Sequence, residues 1–85
     1  MATINKSIAD IAREIVIDLL LVDDHEVTLD AHFNNDLGAD SIDKVELCMN
    51  FEDRFKISIP CWEVRKIQTF GQAVEYIEGK VKLNQ

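Results

Sequence analysis

The run Asp36-Leu37-Gly38-Ala39-Asp40-Ser41-Ile42-Asp43-Lys44-Val45-Glu46-Leu47 carries the chain out of an aperiodic segment and into a helical pattern. Gly38 supplies conformational freedom just ahead of the change. A serine hydroxyl therefore stands where a loop meets a helix N-terminus. The first amides there have no internal acceptor, and the helix dipole is positive. A phosphate ester on Ser41 would be favoured at such a place by roughly 0.3–1 kcal/mol. On the residues alone a plainer reading competes, in which Asp40 or Ser41 only caps the helix.

Outward from this run, the pattern predicts a helix from Ser41 to Phe55. Ile42, Val45, Cys48, Met49, Phe51 and Phe55 are its apolar members; Asp43, Glu46, Asn50, Asp53 and Arg54 are polar. So broad an apolar set implies a helix covered on more than one face. Upstream, residues 23–40 show no sustained period, and long loops of this kind are usually functional. Val27, Leu29, Phe33 and Leu37 read as its anchors to the core, with a helical turn near Ala31 to Asn34. Before the loop, Ile4, Ile8, Ile11, Ile15 and Leu19 form one helical face. Lys6, Asp10, Arg13, Glu14 and Asp18 fall largely on the others. Thr3, Asn5 or Ser7 can cap that helix, which fades around Leu20 to Val22.

Downstream, Ile57-Ser58-Ile59-Pro60 alternates like a strand but is too short and isolated to build a sheet. Pro60 instead opens a brief helix through Cys61, Trp62, Glu63, Val64 and Arg65. Thr69-Phe70-Gly71-Gln72 has the form of a capping box. The last helix that follows has an inward stripe of Phe70, Ala73, Val74 and Ile77. Gly79 suits its C-terminal end, and Lys80 to Gln85 are expected to fray. The predicted fold class is all-α: a small four-helix bundle of three principal helices and one short one, with residues 1–85 as a single domain.

The bulk properties narrow the function. A chain of 85 residues buries only roughly 60–65% of its unfolded surface, enough for one modest core. Its 47% hydrophobic content excludes disorder. The longest apolar run, Ile15 to Val22, is interrupted by Asp18 and falls short of the ~18 residues of a membrane span. Met1 to Lys6 lacks the features of a signal peptide, so a cytoplasmic location is expected. Sixteen acidic residues against nine basic ones give a net charge of −7. That argues against nucleic acid and against anionic membranes. It either favours a basic protein partner or merely maintains solubility.

Cys48 and Cys61 make no metal-ligand spacing with each other or with His25 and His32. Both read as free thiols, Cys48 as a small core residue. A calcium loop ending on Glu46 would put Leu37 where an oxygen ligand is required, so no metal site is predicted. A nucleophilic Ser41 would need a general base and oxyanion donors. Neither histidine has a recognisable partner, and the segment is not a Gly-x-Ser-x-Gly elbow. The chain is therefore not expected to be an enzyme.

Asp36-Leu37-Gly38-Ala39-Asp40-Ser41-Ile42-Asp43 closely resembles the phosphopantetheine attachment motif of acyl carrier proteins, whose usual centre is Asp-Ser-Leu. The match extends through Val45-Glu46-Leu47, Phe51-Glu52, Phe55 and Ile57 to Ile59-Pro60. It resumes at Lys66-Ile67-Gln68-Thr69 and at Tyr76-Ile77, covering almost the whole chain. The resemblance implies that a phosphopantetheinyl transferase esterifies Ser41, beside Asp40, with 4′-phosphopantetheine from coenzyme A. Acyl groups would then ride as thioesters to the enzymes of fatty-acid or lipid synthesis. It also implies the four-helix fold and a monomer. The acyl pocket would be lined by Phe33, Cys48, Phe51, Ile59, Val64, Ile67, Ala73 and Tyr76. Asp40, Asp43, Glu46, Glu52 and Asp53 would form an acidic face for basic docking patches on partners.

Some positions depart from the housekeeping pattern. Lys44 and Arg54 place positive charge on the helix after Ser41, Arg65 replaces a common acidic residue, and Cys61 and Trp62 stand where acidic residues are usual. Val64 and Phe51 are bulkier than the usual residues. Trp62 is accordingly expected to make an apolar partner contact, and the pocket to favour short or unusual chains. A dedicated carrier for polyketide, peptide or other specialised products is the alternative within the family. An unmodified interaction module is the alternative outside it.

Overall fold

The computed structural model describes residues 7–83, and these form four α-helices: α1 Ile8–Leu20, α2 Ser41–Phe55, α3 Cys61–Val64 and α4 Phe70–Leu83. Ser7 caps α1: its hydroxyl accepts from the Asp10 amide at 3.1 Å, and the Asp10 carboxylate accepts from the Ser7 amide. The other two candidate caps, and Ile4 and Lys6, lie outside the described residues. Leu21, at φ 57°, closes α1 in the left-handed conformation. The helix is most deeply buried along Ala12 and Val16, whereas Ile8, Ile11, Ile15 and Leu19 are only half-buried. The predicted stripe is thus one flank of a wider buried face. Small side chains at its centre let α1 lie against both α2 and α4.

Arg13 does not belong to a solvated face. Its Nε donates to the Val27 carbonyl at 3.3 Å and its guanidinium lies 5.4 Å from the centre of the Phe70 ring. It therefore ties the loop to α4. That loop contains a short 3-10 turn at Asp24–Glu26, which has no apolar period to announce it. Val27, Phe33 and Leu37 anchor it as expected, and Ala31 and Ala39 join them. Leu29 does not: its side chain is 59% exposed, and it is its backbone carbonyl that is engaged. The Gly71 amide donates to the Leu29 carbonyl, the Phe70 amide to Ala31 and the Phe33 amide to Gln68, each at 2.9 Å. A single antiparallel bridge, His32 with Thr69, marks this seam. The predicted helical turn is shifted to residues 33–37, closed by the Asp36 and Leu37 amides on the His32 carbonyl.

α2 has the predicted limits. Leu47, Cys48 and Phe51 are its buried members, and Phe55 is half-buried. The expectation that its other apolar residues are covered is overturned: Ile42 is 71% exposed, Met49 59% and Val45 47%. Val45 and Met49 instead line a cleft whose opposite wall is formed by residues of α3 and the segment before it. α3 follows Pro60 and ends at Val64, with Arg65 as its C-cap. α4 starts on the predicted box, the Gln72 amide donating to Thr69 Oγ1 at 3.1 Å and the Thr69 amide to Gln72 Oε1 at 3.2 Å. It then runs past Gly79 to Leu83, further than its sequence suggested. Val81, packed against the core, holds the extra turn. Phe33, Phe51, Phe70, Leu47, Ile77, Val16 and Val27 are the largest fully buried side chains, each worth about 1.5–3 kcal/mol of transfer free energy.

Candidate functional site

Three local devices place Ser41. Gly38, at φ 73°, turns the chain where a side chain would be strained. Ala39 is buried, and its amide donates to the Phe33 carbonyl at 2.7 Å, fixing the approach. Asp40 then caps α2: its Oδ1 accepts from the Asp43 amide at 2.8 Å, while Asp43 Oδ2 accepts from the Asp40 amide at 3.2 Å. Asp40 is the cap, and Ser41 is the first helical residue, exposed, with capping already done. The amides of Ser41 and Ile42 have no intrahelical acceptor at that position.

A cleft of about 640 Å³ opens at Ser41. One wall is the α2 face bearing Lys44, Val45, Cys48, Met49 and Glu52; the other is Ile59, Pro60, Cys61, Val64 and Arg65. Ser41, Val45, Cys48 and Glu52 are three or four residues apart, so they share one helix face. Burial pushes the Cys48 thiol up from 9.0 to about 11, only partly offset by the nearby Lys44 ammonium. It is a neutral, apolar wall group at physiological pH. An exposed hydroxyl at the mouth of a mainly apolar cleft fits a phosphodiester-linked arm with an apolar cargo.

Of the expected pocket residues, Cys48, Ile59 and Val64 line this cleft. Phe33, Phe51 and Ala73 lie in the packed core, with Phe51 6.4 Å from the Phe55 ring centre. Ile67 and Tyr76 line a separate recess of about 490 Å³ between α3 and α4. Val45, Met49, Pro60 and Arg65 are cleft residues the sequence did not single out. Their four-residue spacing from Ser41 along α2 was the available signal for Val45 and Met49.

The acidic residues divide by occupation. Asp40 and Asp43 are engaged in the cap, and Glu52 Oε2 accepts from the Ile59 amide at 2.7 Å, pinning the segment after α2. The carboxylates of Glu46 and Asp53 have no partner among the described residues, and both are exposed. Trp62 is 61% exposed, with the Lys66 ammonium 5.2 Å from its ring centre. Lys44 is half-buried on the cleft wall that Glu52 also lines, and Arg54 is exposed. No group of His, Cys, Asp and Glu among the described residues is arranged to hold a metal ion. No helix among them is long and apolar enough to cross a membrane.

Residues 10–77 match the family described as phosphopantetheine attachment site. Over 82 residues the chain is 48% identical to proteins named acyl carrier protein from two strains of Porphyromonas gingivalis, covering 96% of this chain and all of theirs. A protein of the same name from Amoebophilus asiaticus is 47% identical over 81 residues, 95% of this chain and 96% of its own. With its exposed serine at the head of α2 and its match along nearly the whole length, the chain belongs to the acyl carrier protein family.

Proposed function

We propose that Ser41 bears the 4′-phosphopantetheine of this carrier and that the cleft below it shelters the acyl cargo. One observation carries the reading: within the family match, Ser41 is exposed at the first turn of α2, relieved of capping by Asp40, at the mouth of an apolar cleft. As a member of its family the protein carries acyl groups and is not a catalyst. When attached, the arm supplies a thiol on which acyl groups are held as thioesters. The chain's own residues do the rest. The open amides at the start of α2 and the positive end of its dipole favour the phosphate. Val45, Cys48, Met49, Ile59 and Val64 withdraw methylenes from water, at about 0.8 kcal/mol for each one fully buried. Tethering presents the cargo to each enzyme at a high effective concentration.

Glu46 and Asp53 supply the uncommitted charge for basic patches on a phosphopantetheinyl transferase and on acyl-processing enzymes. The whole chain, 1–85, acts as one carrier domain and a monomer in the cytoplasm, serving fatty-acid or lipid synthesis. The exposed Trp62 and the cations Lys44 and Arg65 at the cleft favour, as a second reading, a carrier with its own specialised partners. The test is incubation with coenzyme A and a broad-specificity transferase, followed by intact mass. A gain of one phosphopantetheine by the wild type and none by Ser41→Ala is expected. Equal gain by both proteins would refute the assignment.

A further inference from the structure

Among the described residues, the large exposed apolar side chains are Leu21, Leu29, Ile42, Val45, Met49 and Trp62. The last four gather at one place. Val45 and Met49 line the cleft, and Ile42 and Trp62 directly follow the lining residues Ser41 and Cys61 in the chain. Isolated exposed apolar residues are ordinary, whereas a gathered set marks a contact surface. The charges around this apolar centre are segregated. On α2, Glu46 and Asp53 share a face about a third of a turn round from that of Ser41, Cys48 and Glu52. By the same spacing Ile42 and Met49 fall between the two faces.

Across the cleft the sign reverses. Arg65 lines it beside Cys61, and Lys66 holds its ammonium 5.2 Å from the centre of the Trp62 ring. Lys44 adds a third cation on the α2 wall; where burial raises the Cys48 thiol, this ammonium is close enough to offset part of the effect. No carboxylate among the described residues lies within ion-pair distance of Lys44, Arg65 or Lys66. The nearest acids are committed inward. Glu52 accepts from the Ile59 amide, and Glu63 faces the recess behind α3, beside the Tyr76 hydroxyl. In a chain of net charge −7, unpaired cations grouped round an exposed indole are complementary to carboxylates brought by another molecule. Tryptophan and arginine are the side chains that most often dominate a protein contact. Cations beside such a contact lose water as it forms, and facing carboxylates offset that loss.

We propose that the α3 edge, Trp62 with Arg65 and Lys66, is a docking site for a partner protein that offers an apolar socket rimmed by carboxylates. This deepens the second reading above, a carrier with its own partners, and rests on the carrier assignment. Such a partner presents basic residues to Glu46 and Asp53 and acidic ones to α3, so the two opposed rims fix which way round it sits over Ser41. A surface that is basic throughout meets like charge at Arg65 and Lys66 and is disfavoured, which is selection by repulsion as well as attraction.

The probe is a broad-specificity phosphopantetheinyl transferase whose carrier-docking surface is basic throughout, paired with a variant of it whose basic side chains facing α3 are changed to glutamate. Loading from coenzyme A is timed by intact mass for the wild-type chain and for Arg65→Glu/Lys66→Glu. With the unaltered transferase the double variant is expected to load about three- to tenfold faster than wild type at low salt, the gap closing as salt rises. With the altered transferase the order reverses. That reversal cannot come from a folding defect, which slows the variant with both enzymes. Trp62 is the single tryptophan, so 5-fluorotryptophan gives one fluorine signal, expected to shift further in the complex with the altered enzyme than with the unaltered one. Equal rates for both chains overturn the proposal, as does wild type loading faster with the unaltered transferase. A fluorine signal that neither complex moves overturns it too. A wild type and a double variant that both stay bare, where a known carrier is fully loaded, overturn the carrier assignment itself.

Discussion

Ser41 and Cys48 lie on one face of α2 and meet opposite demands. Ser41 is exposed and reachable by another protein, while Cys48 is 5% exposed with its thiol raised to about 11. A thiol whose folded pKa lies above its unfolded one favours the folded state while it remains protonated. That contribution is complete below the unfolded value and is lost as pH rises through the folded one. Stability is therefore expected to fall between about pH 9 and 11, and Cys48→Ala should flatten the slope, as urea unfolding at stepped pH will show. At pH 8 a thiol reagent should modify the exposed Cys61 and spare Cys48 until the chain unfolds. At this scale the place of Ser41 at the head of α2 was legible, because the change from aperiodic loop to helical pattern falls there. Ile42, Val45 and Met49 were misplaced because an apolar side chain in a helical pattern does not reveal whether a neighbour exists to cover it.

The boundaries of α2 and the start of α4 could be read from the chain because caps are local: Asp40 with Asp43, and Thr69 with Gln72. The end of α4 could not. Gly79 suits a C-terminus, yet the packing of Val81 carries the helix onward. Least legible was the seam between the long loop and α4, whose pairings join residues roughly 35–45 positions apart in the sequence. At Gly71 the approach is tight: a Cβ there would meet the Leu29 carbonyl oxygen, a backbone atom that cannot swing aside, at 2.8 Å. Gly71→Ala is expected to destabilise the fold by about 1–3 kcal/mol, the usual cost of overpacking. Chemical denaturation measures this directly. An unchanged midpoint would mean that the loop is not held at this seam.

Across the whole molecule, a charge of −7 on 85 residues acts at the distance of encounter. Its sign was plain from composition, but not which carboxylates are available. That required the structure, which commits Asp40, Asp43 and Glu52 to the fold and leaves Glu46 and Asp53 exposed. Changing both to lysine is expected to slow transferase-catalysed loading on the order of tenfold at low salt, with the gap closing as salt rises. Stopped-flow or discontinuous mass assays at two ionic strengths distinguish this from a folding defect, which salt would not rescue. Trp62→Glu should leave the thermal midpoint unchanged while impairing delivery to the protein's own partner enzymes. Unaltered transfer rates would remove the apolar contact from the account.

The placement of the arm is the claim on which the cleft, the charge and the cargo all depend. Tandem mass spectrometry of the transferase-treated protein locates the adduct among its hydroxyls. The expected result is a single phosphopantetheine on Ser41, with Ser7, Thr28, Ser58 and Thr69 unmodified. An adduct on any of those four, or a bare Ser41 under conditions that fully load a known carrier, would contradict it.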